Sequence, residues 1–446
     1  MKRLLLLLTA IGVVAVSCQK DIDYNDMSEK ETSIEVKISP YAVSEEKALS
    51  RLESELAAIK GVETRASNRS VRTIKPIKFN DIAPATRSSD IDVDNLLYIV
   101  EFEDGQGSAI LGADERVEPI YAILDESSLS SEDFYNAANG INKEHLKTYL
   151  ATAIIDEAVE QLSISRGSII IPPISELQYS YFEYDTITNE SKEMLLNTKW
   201  HQSAPYNNGC YNEDGDKCVA GCVTINVAQV LLYNSVKNNL QLTVGSENFN
   251  KTLLNMRRYG YSIPAALVDS VNSEVARYVA KLADELDIEL GIFESTGSTS
   301  DIVDVMIDSG YAEAEYIESD SLSFEDEVRE QLFIRGLPAP FRGEDADGTG
   351  HSWVIDGYLY QRAKEYIVTV EGNVIIRREY CRLVTNRKIH CNFGWGGMCD
   401  GYYAYGIFDV SSELGTDEIV PEVGDRPSSF EDYVFNNELE MVMYRL

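Results

Sequence analysis

Residues 220–234 read AGCVTINVAQVLLYN, an apolar run with almost no polar surface. Its even apolar coverage predicts a buried helix over 219–234, with Gly221 and Cys222 at its start. A second stretch, GHSWVIDGY at 350–358, follows the Gly- and Asp-rich loop 343–350. There the pattern switches to strands, expected at 351–360, 366–370, 374–378 and 388–393. Between the two stretches, residues 273–290 carry amphipathic helical spacing. Helices first and strands afterwards predict an α+β arrangement.

Upstream, Leu49, Leu52, Leu56 and Ile59 recur on one face of an expected helix over 44–59, and Gly61 is a plausible stop. Residues 62–95 are polar and carry Arg65, Arg69, Arg72, Lys75, Lys78 and Arg87. They read as a solvated linker, or as a surface that pairs with the acidic remainder; a protease-sensitive segment is the sharper alternative. The runs LLYIVEF and SAILGA flank Asp104-Gly105, a strong hairpin signal. A helix is expected over 143–162, and 165–195 shows little periodicity and reads as a connection between domains.

The balance of 39 basic and 74 acidic side chains leaves a formal charge of −35. That excludes a basic nucleic-acid footprint and suits a soluble exported protein. Lys2 and Arg3 precede an apolar run at 4–16, which has the length of a signal core and is too short to span a bilayer. Ala15 and Ser17 then precede Cys18, resembling a bacterial lipobox, so Cys18 is the expected lipidation site. No later segment is long and apolar enough for a membrane helix. Apart from Cys18 the cysteines are Cys210, Cys218, Cys222, Cys381, Cys391 and Cys399. Cys210 and Cys218 flank a polar turn and could bridge in an oxidising compartment.

The chemistry centres on Cys222. A thiol at a helix N-terminus lies among unpaired N–H donors that favour the thiolate, although a lone cysteine there is more often a small buried hydrophobe. The chain has four histidines, and His351 stands at the mouth of a strand beside a flexible loop, the place for a general base. Asn392 can orient the imidazole, and Trp395 can shield that hydrogen bond from water. Gln202 can donate its side-chain amide to an oxyanion, with the Cys222 N–H as second donor. Each has a bland alternative: surface histidine, turn asparagine, core tryptophan, surface glutamine. A zinc site from His351, His390, Cys391 and Cys399 lacks the short ligand spacings of such sites. No cofactor is expected.

At these residues the chain resembles the streptopain family of papain-like cysteine peptidases, in the form of a Bacteroidetes-type lipoprotein precursor. WHQSAPYN at 200–207 resembles the oxyanion segment, and AGCVTINVAQVLLY at 220–233 the nucleophile helix. GHSWVIDGY resembles the general-base strand, and NFGWGGMCDGYY at 392–403 the orienter and its Gly-rich loop. Departures are Thr224, Ile225 and Asn226, where small residues are usual, Phe393 where tryptophan is common, and the extra cysteines.

The resemblance implies a two-subdomain papain-like catalytic domain preceded by an α+β inhibitory propeptide. The expected layout is a signal at 1–17, a lipid-anchored tether at 18–40, a propeptide at 41–185 and the catalytic domain at 186–446. The implied partners are protein or peptide substrates and the chain's own propeptide. No nucleic acid is expected, and membrane contact only through the lipid, with the protein held in the cell envelope and its mature form released. The alternative is a catalytically silent surface lipoprotein that binds host protein.

Overall fold

The computed structural model describes residues 41–59, 69–82, 93–142, 145–164, 178–238, 240–250, 268–318, 322–344, 350–371, 374–408 and 437–446. The leader, Cys18, the tether, residues 165–177 of the expected interdomain connection and the tip of the loop before His351 lie outside these residues.

The N-terminal half begins with α1 (Glu45–Ile59), whose Leu52, Leu56 and Ile59 are buried as its spacing requires. Then come β1 (Val71–Lys78), the short α2 (Phe79–Ile82), β2 (Asn95–Phe102), β3 (Ser108–Gly112) and β4 (Ile120–Leu124). Asp104 and Gly105 both adopt positive φ in the turn between β2 and β3, as the expected hairpin demands. The basic stretch is not simply a linker. Part of it is β1, which pairs antiparallel with β2, and Lys75 there meets Glu101. Helices α3 (Ser131–Ala138) and α4 (Leu146–Ile164) follow; Ser130 and Asp133 close a capping box on α3.

Next are β5 (Gln178–Lys192), α5 (Cys222–Lys237), the two-residue strands β6 (Thr243–Val244) and β7 (Glu247–Asn248), α6 (Val268–Glu285) and α7 (Asp301–Asp308). The chain then builds β8 (Glu313–Ile317), β9 (Ala339–Glu344), β10 (Gly350–Glu371), β11 (Val374–Asn392), β12 (Gly401–Ala404) and β13 (Asn437–Arg445). Four expected strands thus merge into two, because β10 and β11 pair continuously as a long hairpin. The polar stretch 361–365 does not interrupt β10, since β5 bonds its other edge from Tyr358 to Glu371. The expected 185/186 boundary falls within β5.

One eleven-stranded sheet runs β1-β2-β3-β4-β12-β11-β10-β9-β13-β8, with β5 joined to β10. The N-terminal strands are hydrogen-bonded into the C-terminal half through β4 and β12, at Gly401↔Leu124 and Tyr403↔Ala122. Side chains alternate across β10. Trp353 and Ile355 enter a core shared with α4 and β4. Val354 enters the other core, with α5, α6 and α7. The helical side α5–α7 and the strand side β9–β12 give the mixed α+β build that the order of the patterns predicts. Among the described residues no helix is long and apolar enough to cross a membrane.

Candidate active site

Helix α5 begins at Cys222, and its N-cap is Gly221 at φ 86°, with no side chain capping the first turn. A side chain at Gly221 would be strained by that φ and would press on Ser295 Cβ at 3.3 Å. The opening N–H groups of α5 are therefore left to the sulfur. Twelve of its residues are buried, from Val223 to Ser235, so apolar packing holds the helix in place at roughly 1.5–3 kcal/mol per large side chain.

Burial pushes the Cys222 thiol up, and the backbone N–H groups of Ser352, Val223 and Cys222 itself, which hydrogen-bond it, act the other way. The Arg342 guanidinium adds a smaller push toward the thiolate. Asn226, one turn along α5, bonds Ser352 Oγ at 2.6 Å and so holds the start of the helix against the start of β10, beside His351. That juxtaposition of α5 with β10 is what the chemistry requires.

His351 is 5% exposed. Its Nε2 lies 3.0 Å from the Phe393 carbonyl oxygen. A carbonyl can only accept, so Nε2 carries the hydrogen and Nδ1 keeps the lone pair in the neutral ring. Burial pushes the His351 pKa down to about 4, opposed by the Phe393 carbonyl. Burial thus acts against the charged form of each group in this full-length chain.

The other expected residues gather around this pair. Trp395 packs edge-on to the His351 ring, centroids 5.3 Å apart, and so covers the ring beside its Phe393 bond. Asn392 adjoins Phe393, but its amide is engaged elsewhere. Its Nδ2 donates to the Thr198 carbonyl at 2.8 Å. Its Oδ1 accepts from Gln229 Nε2 and the Gly394 N–H, each at 3.2 Å. Asn392 thus shapes the turn that presents the Phe393 carbonyl, and the observed ring hydrogen bond runs to that carbonyl. Gln202 is half-buried, and its carbonyl accepts from the Ala220 N–H at 2.9 Å, so it sits beside the approach to Cys222.

Two contributors escaped the sequence reading. Asn226 Nδ2 donates to Ser352 Oγ at 2.6 Å, both buried. Ser352 in turn donates to the Phe341 carbonyl. Cys222, Asn226 and Gln229 stand at i, i+4 and i+7 on α5, a polar stripe on one face of an apolar helix that could have revealed them. His390 lies farther along β11, between Asp356 at 2.6 Å and Asp125 at 3.0 Å.

Residues 200–403 match the family model described as the peptidase C10 family. The chain is accordingly a cysteine-type peptidase. Two solved structures also align with it. A mutant prointerpain A fragment from Prevotella intermedia shares 17% identity over 84% of this chain and 98% of that one, with a TM-score of 0.47. Active wild-type interpain A cysteine protease from the same organism shares 21% identity over 56% of this chain and 94% of that one, with a TM-score of 0.37. No curated protein matches the chain.

Proposed function

We propose that the C10 segment hydrolyses peptide bonds as an endopeptidase with Cys222 as nucleophile and His351 as general base. The observation that carries this is Cys222 at the N-terminus of α5, tied by the Asn226–Ser352 bond to the strand that carries His351. In the working state His351 Nδ1 takes the thiol proton and the thiolate attacks the substrate carbonyl. The Gln202 amide and the Cys222 N–H stabilise the oxyanion. His351 then protonates the leaving amine, and water activated by the same ring hydrolyses the thioester. The Phe393 carbonyl holds the tautomer throughout, supported by Asn392, and Trp395 keeps water from that bond.

The N-terminal half acts as the intramolecular inhibitor. Its β4 strand continues the catalytic sheet, Asp125 reaches His390, and Lys388 is buried between Glu55 and Glu118. Cys18 is the lipid attachment site of an exported precursor held at the cell envelope, which is released after processing. Cys222→Ala should abolish peptide hydrolysis and labelling by a thiol-directed epoxide. Peptide hydrolysis persisting in that variant would overturn the assignment. Wild type that neither hydrolyses peptides nor takes the label would favour a silent binding protein.

A further inference from the structure

Between Gln202 and Cys222 the chain makes a tight loop with a cysteine at each foot. Tyr211 and Lys217 form an antiparallel bridge. It is flanked by the Cys218 N–H donating to the Cys210 carbonyl at 3.1 Å and the Asn212 N–H donating to the Asp216 carbonyl at 3.1 Å. This register sets Cys210 directly opposite Cys218. Opposed residues at such a hydrogen-bonded position lie about 5.5 Å apart at Cα, inside the range of about 4.4–6.8 Å that a disulfide spans. Their side chains leave the same face of the ladder. Both are buried, at 0% and 1% exposure, and both are thiols in this structure. Cys218 Sγ faces the Asp216 carbonyl at 3.4 Å, so closure needs that side chain to rotate toward Cys210. Cys391, by contrast, stands opposite Gly401 on β12.

We propose that Cys210 and Cys218 form a disulfide that locks the loop joining the Gln202 segment to Cys222. The loop already ties the two together. Asn207 Nδ2 donates to the Cys218 carbonyl at 2.7 Å, and the Cys210 N–H donates to the Asn207 carbonyl at 3.0 Å. The Val219 and Ala220 N–H groups then bond Gly291 and Gln202. A covalent link across the feet keeps both candidate oxyanion donors in register and keeps two neighbouring thiols from pairing with Cys222.

The oxidant is a disulfide, either glutathione disulfide or that of a dithiol oxidoreductase. Burial pushes the Cys210 thiol up to about 11, which suits it to the resolving role, with Cys218 attacking the oxidant. Its thiolate takes one sulfur of the oxidant and releases the other as a thiolate. The Cys210 thiolate then displaces the second sulfur from the mixed disulfide. Two protein thiols lose two electrons and two protons, and the oxidant's S–S bond becomes two thiols. In the cell this rests on the proposed export, because the bond persists only in an oxidising compartment.

The test is peptide mapping of full-length wild type by mass spectrometry without reduction. One arm uses chain recovered from the cell, the other reduced chain equilibrated with glutathione disulfide. The expected result is a Cys210–Cys218 cross-linked peptide in both. A cross-link in the glutathione arm alone upholds the site and counts against export. Cys210 alkylated as a free thiol, or bonded to another cysteine, in the glutathione arm overturns the proposal whether or not Cys222 is catalytic. Amide exchange at Val219 and Ala220 should slow at least tenfold on oxidation; unchanged exchange would refute the locking role.

Discussion

Asn226, one helical turn beyond Cys222, hydrogen-bonds Ser352 Oγ at 2.6 Å, and Ser352 is the neighbour of His351. The helix that carries the thiol and the strand that carries the imidazole are therefore joined by a buried side-chain bond. Asn226 Oδ1 is buried without a hydrogen-bond partner. That is costly in a core and fits a residue kept for position.

Asn226→Ala should lower kcat about tenfold with little change in KM, since misregister affects proton transfer more than substrate binding. Stability should fall by roughly 1–3 kcal/mol, the usual cost of stranding a buried partner. In the Asn226→Ala/Ser352→Ala double variant the stability losses should be less than additive, while kcat remains low. Steady-state kinetics and denaturant midpoints read both. A kcat equal to wild type in every variant would remove the positioning role.

Gln202→Ala should cut kcat by roughly 100-fold or more, the scale for losing one oxyanion donor. Alkylation of Cys222 by iodoacetamide should be unchanged, because Gln202 acts on the intermediate and not on the thiol. A matching fall in alkylation would instead mean that the loop around Cys222 has been disturbed.

The pH behaviour of the full-length chain follows from burial of His351. Its folded pKa of about 4 lies below the ordinary value of 6.5, so the unfolded chain binds the proton more readily. Stability from this group is complete above about pH 6.5 and is lost as pH falls through 4, by about 3 kcal/mol in all. His351→Gln should flatten that part of the stability profile. Comparing urea midpoints at pH 4, 5, 6 and 7 checks the sign; a wild-type profile that the substitution leaves unaltered would contradict it.

Asp125 joins the N-terminal half to the C-terminal half by pairing with His390, and it also pairs with Arg69 within its own half. Burial opposes its ionisation, yet His390 and Arg69 hold its carboxyl below the usual range. Burial likewise opposes a charged His390, yet Asp356 and Asp125 raise its pKa well above the usual value. Asp125→Asn should destabilise the full-length chain by about 2–4 kcal/mol near neutral pH. The gap should narrow as pH falls below the carboxylate range, where Asp125 itself becomes protonated. Thermal unfolding at pH 7 and at pH 2.5 would show this.

How much of this was legible beforehand depended on where the information lies. Helix α5 and the start of β10 announce themselves because each is a dense apolar run beside a Gly-rich boundary. Strand β5 does not, since its polar EYDTITNESK stretch at 183–192 is extended mainly because β10 bonds it along its length. The merging of β4 with β12 is a pairing between distant segments, and neither run names its partner. At the candidate site, Cys222, His351 and Gln202 are singled out by side-chain chemistry alone. The Phe393 carbonyl was not, because a backbone acceptor leaves no trace in residue identity. His390 seemed a candidate only by its neighbour Cys391; its actual partners come from β4's end and from β10.

The most direct test of the Cys222–His351 pair is the rate of Cys222 alkylation by iodoacetamide from pH 4 to 10. It should be measured on wild type and on His351→Gln after both have been trimmed by the same added protease. The expected wild type keeps a reactive plateau through pH 6, at least 100-fold above the variant, because imidazolium holds the thiolate. In the variant, reactivity should rise only near the pKa of an ordinary thiol. Superimposable profiles would mean that the sulfur at 222 does not share a proton with the ring at 351, contradicting the proposed mechanism.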